Sequence, residues 1–553
     1  MTSLNYWLVI LLASGIAGCG TLQSESNATA SGVEPDGQYH LTEARRWEGR
    51  AARDGGNMSF WINCAASAYR ALDSDSSNGA SEAAELATHC ASRFLGEATE
   101  RRSRRWSEGL TRIGGVEIVV EFRELSSYLD GPLSLTRTQD VSMGIYGDAR
   151  FSSPGFGVPV VVTTPRCRDR PICELLPPEG VFRSATAWIE SRADSSANIP
   201  RLVIADPLKA NPLVIKERRY PLALDPSSFY AQGAGTSALN RLAVWGLIGG
   251  DEVGRRAGVY LLDEYDPAKR PIVMIHGLGS SPLSWARLSN AIWGNADLRA
   301  RFQVWHVIYQ TNAPLLVTRH RIEVYLDDAW SVLDPEGDDP ARSGMILIGH
   351  SMGGVVARLL CVDSGDVLWS SAFTAPPGLM SADPDRVAEI ESIFMFKPYP
   401  GTSRAIFMAA PHGGSPSAES WFGHSIRFLV GRGVPELRAL RSFAIDYPDL
   451  VRPELRESYQ KANFNSISTL QISQPVRRAG ETLLPAAGIP YHTIAGVLPG
   501  RTPETDGVVP FSSAFLPAAS STLRVESDHK VYENPEAIAE ILRILRIATD
   551  DAG

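Results

Sequence analysis

The C-terminal part of the chain alternates short apolar runs with amphipathic helical patterns. Helical patterns such as Leu283–Trp293 and Ile322–Leu333 separate the apolar runs. This alternation is typical of an α/β fold, in which a mostly parallel sheet carries helices on both faces. We therefore predict one α/β domain over residues 251–553. Its predicted strands are Gly258–Leu262, Ile272–Ile275, Val304–Ile308, Met345–Ile348, Ile406–Ala409, Tyr491–Ala495 and Leu523–Val525.

Two stretches of this domain do not follow the alternation. They cover residues 367–402 and 415–490, and the second contains helical patterns such as Ser425–Leu429 and Glu436–Ala444. Insertions of this kind can close over a site at the edge of the sheet. We predict that both are cap insertions.

The N-terminal half is organised differently. A chain of 553 residues is long enough for about three folding units. Residues 41–110 have a helical pattern, and residues 111–250 contain short branched runs, several of them bounded by Pro and Gly, as in an antiparallel sheet or sandwich. We predict a small helical segment and a β-rich accessory domain. A packing role and a substrate-presenting role both remain open for this half.

Composition argues against two classes of protein. The hydrophobic fraction of 44 % and the charged fraction of 21 % are ordinary for folded domains, so disorder throughout is not expected. The formal net charge is −9 and there is no long basic run, so we expect no nucleic-acid partner.

The first 18 residues are typical of an export signal. The apolar run that precedes Cys19 is shorter than the roughly 20 residues of a membrane-spanning helix. It ends in IAGC at residues 16–19, which resembles a bacterial lipobox and implies acylation of Cys19. We predict a lipoprotein signal peptide over residues 1–18, a membrane anchor at Cys19 and a flexible tether over residues 19–40. Because Gly20 is not Asp, the resemblance implies the bacterial outer membrane; the alternatives are an ordinary signal peptide or a buried helix.

Export permits disulfides, and five cysteines remain besides Cys19. The natural pairs are Cys64 with Cys90, which lie in two candidate helices, and Cys167 with Cys173, although spacing does not prove the connectivity. Cys361 lies in an apolar helical pattern and is predicted to be a small buried residue. Because the cysteines and histidines lack zinc spacing, we predict no metal site.

The sequence Gly349-His350-Ser351-Met352-Gly353 follows a predicted strand and leads into a helical pattern. A sharp turn between strand and helix exposes a serine hydroxyl, and the glycines allow the two elements to approach closely. We predict Ser351 as a nucleophile.

A serine hydroxyl needs a base, and the base needs an acid to orient it. Asp506 and His529 each follow a predicted strand, and His529 is the one histidine C-terminal to Asp506. We predict His529 as the base and Asp506 as the acid. Glu504 and Asp528 are rival acids.

The sequence His276-Gly277-Leu278-Gly279 follows another predicted strand. A loop in this place supplies one backbone N–H of an oxyanion hole, and the residue after the nucleophile supplies the other. We predict that the hole consists of the N–H groups of Leu278 and Met352.

Four motifs together resemble the lipase and esterase branch of the α/β-hydrolases, including bacterial lipoprotein esterases, GPI inositol-deacylase-like enzymes and triacylglycerol lipases. They are HGLGSSPLSW at 276–285, GHSMGG at 349–354, AAPHGGS at 409–415 and TDGVVPFSSA at 505–514. The resemblance covers roughly the last 300 residues, the usual size of that fold. It implies a Ser-His-Asp triad at Ser351, His529 and Asp506, and a loop at 412–415 that either lines the site or serves as a turn.

These observations predict a serine hydrolase that cleaves carboxylic ester bonds at the cell envelope without a cofactor. Its partners would be an ester or lipid substrate and, through Cys19, a membrane. An acyltransferase with the same triad is the alternative enzyme, and a non-catalytic lipoprotein binding or assembly factor is the alternative from another class.

Overall fold

The computed structural model describes most of the chain from residue 36 onward. Outside the described residues lie the predicted signal peptide, Cys19 and nearly all of the predicted tether. Residues 425–429 of the second predicted cap insertion also lie outside them. No helix among the described residues has the length and apolar character that a membrane span requires. The described ranges are 36–54, 57–74, 79–102, 104–191, 199–237, 239, 251–415, 435–462 and 465–550.

The N-terminal half consists of three helices and a seven-stranded sheet. The helices are Gly37–Arg53, Met58–Asp73 and Ala80–Arg102. The strands are β1 (Arg105–Trp106), β2 (Gly109–Ile113), β3 (Val116–Arg123), β4 (Leu133–Arg137), β5 (Val158–Thr164), β6 (Val181–Glu190) and β7 (Arg201–Ala205), in the order β1-β4-β5-β6-β7-β3-β2. A hairpin of β8 (Leu213–Ile215) and β9 (Arg218–Tyr220) and a helix at Ser228–Thr236 follow.

The sheet is mixed, so the predicted antiparallel arrangement is wrong for one strand pair. β3 and β7 run parallel, with Val120 beside Leu202, whereas the other neighbouring strands are antiparallel. The chain passes through three other strands between β3 and β7. Strand periodicity does not reveal such a long-range pairing.

The three helices and the sheet share one hydrophobic core. Buried side chains of the helices, such as Ile62 and Phe94, pack with buried strand residues such as Ile118 and Val160. Cys64 and Cys90 form a disulfide between the second and third helices. The predicted helical segment and the predicted β-rich region therefore form a single packing unit.

The C-terminal half forms a second seven-stranded sheet. Its strands are β10 (Gly258–Leu261), β11 (Arg270–Ile275), β12 (Phe302–Ile308), β13 (Met345–His350), β14 (Thr402–Met408), β15 (Tyr491–Val497) and β16 (Ser521–Glu526). Their order is β10-β12-β11-β13-β14-β15-β16, and every neighbouring pair is parallel except β10 with β12. Apolar cores lie on both faces, which explains the continuously apolar sequence of the central strands.

Helices cover both faces of this sheet and occupy both predicted cap insertions. In the main domain they are Asp251–Arg255, Ala286–Gly294, Ala296–Arg299, Leu315–Leu333, Met352–Leu359, Phe511–Ala514 and Pro535–Asp550. In the predicted cap insertions they are Val367–Ala372, Pro384–Phe394, Pro435–Asp446, Pro453–Gln460, Ser466–Thr469 and Pro475–Gly480. Short 3-10 helices are Thr138–Asp140, Gly144–Tyr146, Pro171–Leu175, Pro282–Trp285, Pro340–Ser343, Pro377–Leu379, Pro448–Leu450 and Val531–Glu533.

The two halves are joined by a shared apolar contact. Leu175 and Val181 of the N-terminal half belong to the same core cluster as Val259 and Leu261 of β10. The buried Arg183 guanidinium donates a 2.7 Å hydrogen bond to the carbonyl of Leu262. Cys167 and Cys173 form a disulfide in the loop that leads to this contact.

Candidate active site

Ser351 lies in a sharp turn between β13 and the helix Met352–Leu359. Its backbone has φ 54° and ψ −125°, a conformation that L residues rarely adopt. The Ser351 N–H donates a 2.8 Å hydrogen bond to the carbonyl of Met408 at the end of β14. This bond holds the turn at the carboxyl edge of the sheet.

Glycines allow strand and helix to approach at this turn. A Cβ on Gly349 would lie 2.3 Å from the carbonyl oxygen of Gly353. A Cβ on Gly353 would lie 2.3 Å from the carbonyl oxygen of Ile275. Both distances are far below van der Waals contact, so a larger residue at either position would move the serine.

The structure brings Ser351, His529 and Asp506 together in one chain of hydrogen bonds. His529 Nε2 lies 2.9 Å from Ser351 Oγ, and His529 Nδ1 lies 2.7 Å from Asp506 Oδ2. The other oxygen, Oδ1 of Asp506, accepts the backbone N–H groups of Val508 and Val509 at 2.8 and 2.7 Å. The loops after β15 and β16 position the acid and the histidine.

The two rival acids bind groups other than His529. Glu504 forms an ion pair with Arg524 at 2.6 Å. Asp528 accepts the backbone N–H of Lys530 at 2.9 Å. Asp506 is also the buried member of the three, with 2 % of its surface exposed.

The acid determines which nitrogen of His529 carries the proton. A carboxylate accepts hydrogen bonds, so Nδ1–H donates to Asp506. The lone pair of Nε2 is then directed at the Ser351 hydroxyl. This arrangement can remove the serine proton and stabilise the imidazolium that results.

The loop from His276 to Gly279 lies directly against the serine. A Cβ on Gly277 would lie 3.0 Å from the Cβ of Ser351, so only glycine fits here without displacement. The Tyr309 hydroxyl donates to the His276 carbonyl, and the two rings stack with centroids 4.5 Å apart. Burial lowers the pKa of His276 to about 4, so its ring is neutral at pH 7.

The two predicted oxyanion donors belong to two segments that meet at the serine. Met352 is the first residue of its helix, so its N–H has no acceptor within the helix. Leu278 follows Gly277 in the adjoining loop and is half-buried. Both residues therefore lie beside Ser351.

His350 supports the position of His529, a role that the sequence analysis did not predict. Its Nε2 lies 2.8 Å from the backbone carbonyl of His529, and its ring lies between those of His529 and Tyr532. Burial and the neighbouring His529 hold the pKa of His350 well below its usual range. The neutral ring donates from Nε2–H and fixes the backbone of His529. Its position directly before Ser351 in the motif was the one feature of the sequence that could have indicated this role.

The loop at 412–415 supports the acid. Ser415 Oγ donates a 2.7 Å hydrogen bond to the carbonyl of Val508, the residue whose N–H binds Asp506. Ser513 Oγ donates to the Gly414 carbonyl. His412 is buried against Phe407, with ring centroids 5.1 Å apart. These contacts give the loop a role in holding the turn of Asp506.

One acidic cluster among the described residues has a spacing that could hold a cation. It consists of Asp334, Asp338 and Asp339. Asp334 already accepts a 2.6 Å bond from Arg342 and N–H bonds from the following turn. Its position after the helix Leu315–Leu333 gives it no contact with Ser351, so we assign it no role.

Comparison with known proteins agrees with this architecture. Residues 272–541 match the model of the alpha/beta hydrolase family. This range contains strands β12 to β16, the serine turn, Asp506 and His529. The C-terminal domain has the α/β-hydrolase fold.

Solved structures with similarity to the chain include three esterases or lipases. A lipase of Bacillus licheniformis in its mature form is 17% identical, with 52% of this chain and 97% of that chain covered and a TM-score of 0.29. A metagenomic carboxyl esterase is 15% identical, with 51% and 76% covered and a TM-score of 0.29. A carboxylesterase structure from the thaumarchaeon Nitrososphaera gargenis is 16% identical, with 53% and 96% covered and a TM-score of 0.27. No curated protein matches the chain.

Proposed function

We propose that the C-terminal domain is a serine hydrolase that cleaves carboxylic ester bonds. The observation that carries the proposal is the hydrogen-bonded chain from Asp506 through His529 to the Ser351 hydroxyl. The hydroxyl belongs to a strained turn at the carboxyl edge of the sheet, where nucleophiles of this fold lie. Serine, imidazole and carboxylate in this order form the relay needed for acyl transfer.

The reaction then follows in two steps. Ser351 Oγ attacks the ester carbonyl while His529 Nε2 takes its proton, and His529 returns that proton to the departing alcohol. Water, activated by the same nitrogen, releases the acid from the serine ester. The N–H groups of Leu278 and Met352 stabilise the negative oxygen of each tetrahedral intermediate, and each such donor contributes on the order of 3 kcal/mol.

Ester hydrolysis by the Ser351→Ala variant tests the proposal. With p-nitrophenyl butyrate as substrate, we expect kcat/KM to fall roughly 10⁴-fold or more, because the attacking oxygen is lost. Ser331→Ala is the matched control, since Ser331 lies on the exposed side of the helix Leu315–Leu333. The proposal fails if both variants keep the wild-type rate.

We further propose that the enzyme is anchored at the bacterial cell envelope through Cys19. The lipobox-like sequence at residues 16–19 supports this, and so do the two disulfides, because such bonds persist in oxidising compartments. Labelling of cells with a palmitate analogue should mark the mature protein and leave a Cys19→Ser variant unlabelled. Equal labelling of both would contradict the anchor.

A further inference from the structure

An apolar cavity lies between the helix Met352–Leu359 and the cap insertions. The helix that follows the serine contributes Val355, Arg358 and Leu359 to its wall. The first cap insertion contributes Leu368, Ile390, Ile393 and Phe394. The wall is therefore formed mainly by hydrocarbon side chains.

Two residues of the cavity wall, Val355 and Arg358, follow Ser351 at helical spacing. Val355 is four residues beyond Ser351, and Arg358 is three residues beyond Val355, so the three lie on one face of the helix. At 1.5 Å per residue, Arg358 is about 10 Å from Ser351 along the axis. An acyl chain on Ser351 that runs along this helix would span that distance to Arg358.

Arg358 is buried, with 3 % of its surface exposed. Its Nη1 donates to the carbonyl of Leu483 at 3.3 Å, and its Nε has no hydrogen-bond partner among the described residues. Burial lowers the pKa of Arg358 to about 10, so the side chain still carries its charge at neutral pH. The carboxylate of Glu481 attracts Arg358 electrostatically but forms its ion pair with Arg477. The ring of the nearby His412 is neutral, because burial and the arginine lower the pKa of that ring.

The other charged side chains on the described cavity wall have partners of opposite charge. Glu436 accepts two hydrogen bonds from Arg321, both 2.8 Å long. Arg477 is paired with Glu481. Among the described residues of the cavity wall, Arg358 is therefore the charged side chain that has no ion pair with a carboxylate. A buried cation of this kind is costly unless an anion is bound beside it.

We propose that the cavity binds the acyl part of the ester substrate and that Arg358 binds a carboxylate at its far end. The preferred substrates are then monoesters of dicarboxylic acids. A guanidinium binds a carboxylate through two parallel N–H hydrogen bonds. A purely alkyl chain end offers the guanidinium no hydrogen-bond acceptor. Hydrolysis consumes one water, breaks the bond between the acyl carbon and the alcohol oxygen, and releases the alcohol and the dicarboxylate. The inference rests on the proposed function of Ser351.

Two matched esters test the proposal: p-nitrophenyl octanoate and mono-p-nitrophenyl octanedioate. The measured quantity is the ratio of kcat/KM for the octanedioate to that for the octanoate. We expect the wild-type ratio to exceed one and to be roughly ten- to a hundredfold above the ratio of Arg358→Met, because hydrogen bonds to charged groups discriminate by that amount. Methionine retains much of the packing volume. Arg438→Met is the control, since Arg438 is exposed on a cap helix, and it should keep the wild-type ratio.

The possible results separate this proposal from the function on which it rests. If Ser351→Ala hydrolyses p-nitrophenyl butyrate at the wild-type rate, the proposed function fails. If that rate is lost but wild type and Arg358→Met have the same ratio, the carboxylate site is wrong.

A binding measurement covers the case in which Arg358→Met does not fold. In the Ser351→Ala variant, monomethyl octanedioate should raise the Tm by more than an equal concentration of methyl octanoate, which has no carboxylate. Equal shifts would overturn the proposal.

Discussion

Ser351 has a backbone conformation that costs free energy and is held by its surroundings. Its φ of 54° is fixed by the hydrogen bond to Met408 and by the close contact of strand and helix. Strain of this kind is of order 1–3 kcal/mol and collects at functional sites. The strained conformation presents the Ser351 hydroxyl to His529. The reactivity of this hydroxyl therefore costs the protein some folding stability.

This strain predicts a difference between two inactive variants. Ser351→Gly should be more stable than Ser351→Ala by roughly 1–2 kcal/mol, because glycine tolerates the positive φ and alanine does not. Urea denaturation of both variants measures the difference. An alanine variant as stable as the glycine variant would show that the turn is unstrained.

Buried histidines predict a loss of stability in acid. Burial lowers the pKa of His306 to about 3, against an unfolded value of 6.5. The neutral form therefore stabilises the fold fully above pH 6.5, and this contribution is lost as the pH falls toward 3. When the pH falls from 7 to 5, the free energy of unfolding should decrease in both proteins. The decrease should be about 2 kcal/mol smaller in His306→Gln than in wild type. The same loss in both proteins would contradict the assignment.

The residues of the site divide into those that sequence predicts and those that only tertiary structure reveals. Ser351, Asp506 and His529 could be placed because each follows an apolar strand and they occur in the chain order of this fold. His350 and Ser415 act through hydrogen bonds to backbone carbonyls 179 and 93 residues away. No local pattern encodes such partners.

At the scale of elements, the serine turn depends on glycines that keep β13, β11 and the following helix in contact. Gly353→Ala would place a Cβ 2.3 and 2.4 Å from the carbonyl oxygens of Ile275 and His276. We expect a loss of roughly 1–3 kcal/mol in stability, as for other overpacked sites, together with a drop in esterase activity. Gly378→Ala is the control, because a Cβ there meets no atom within 4 Å. Equal stability of the two variants would argue against the close contact.

The central strands of the second sheet were predictable because they are buried on both faces. All seven apolar runs correspond to strands, although the observed bounds differ by up to four residues, as in β14 at Thr402–Met408. The N-terminal sheet was less predictable. Several of its strands are short or exposed, such as β1 and β2, and the parallel pairing of β3 with β7 depends on contacts between distant residues.

At the scale of the whole molecule, the N-terminal unit covers apolar surface of the hydrolase domain. Leu175 and Val181 pack with β10, and Arg183 binds the carbonyl that follows it. A chain limited to residues 251–553 would expose this surface to water. We expect it to aggregate or to unfold several degrees below the full-length protein. A soluble monomer with the wild-type Tm and kcat/KM would show that the N-terminal unit is dispensable.

The central claim is that Ser351 is a nucleophile activated by His529 and Asp506. Reaction with a fluorophosphonate, followed by peptide mass spectrometry, tests it most directly, because such reagents react with activated serine hydroxyls. We predict one modified peptide, with the label on Ser351, and slow labelling after His529→Ala substitution. Modification at another serine, or equal labelling rates with and without His529, would contradict the account.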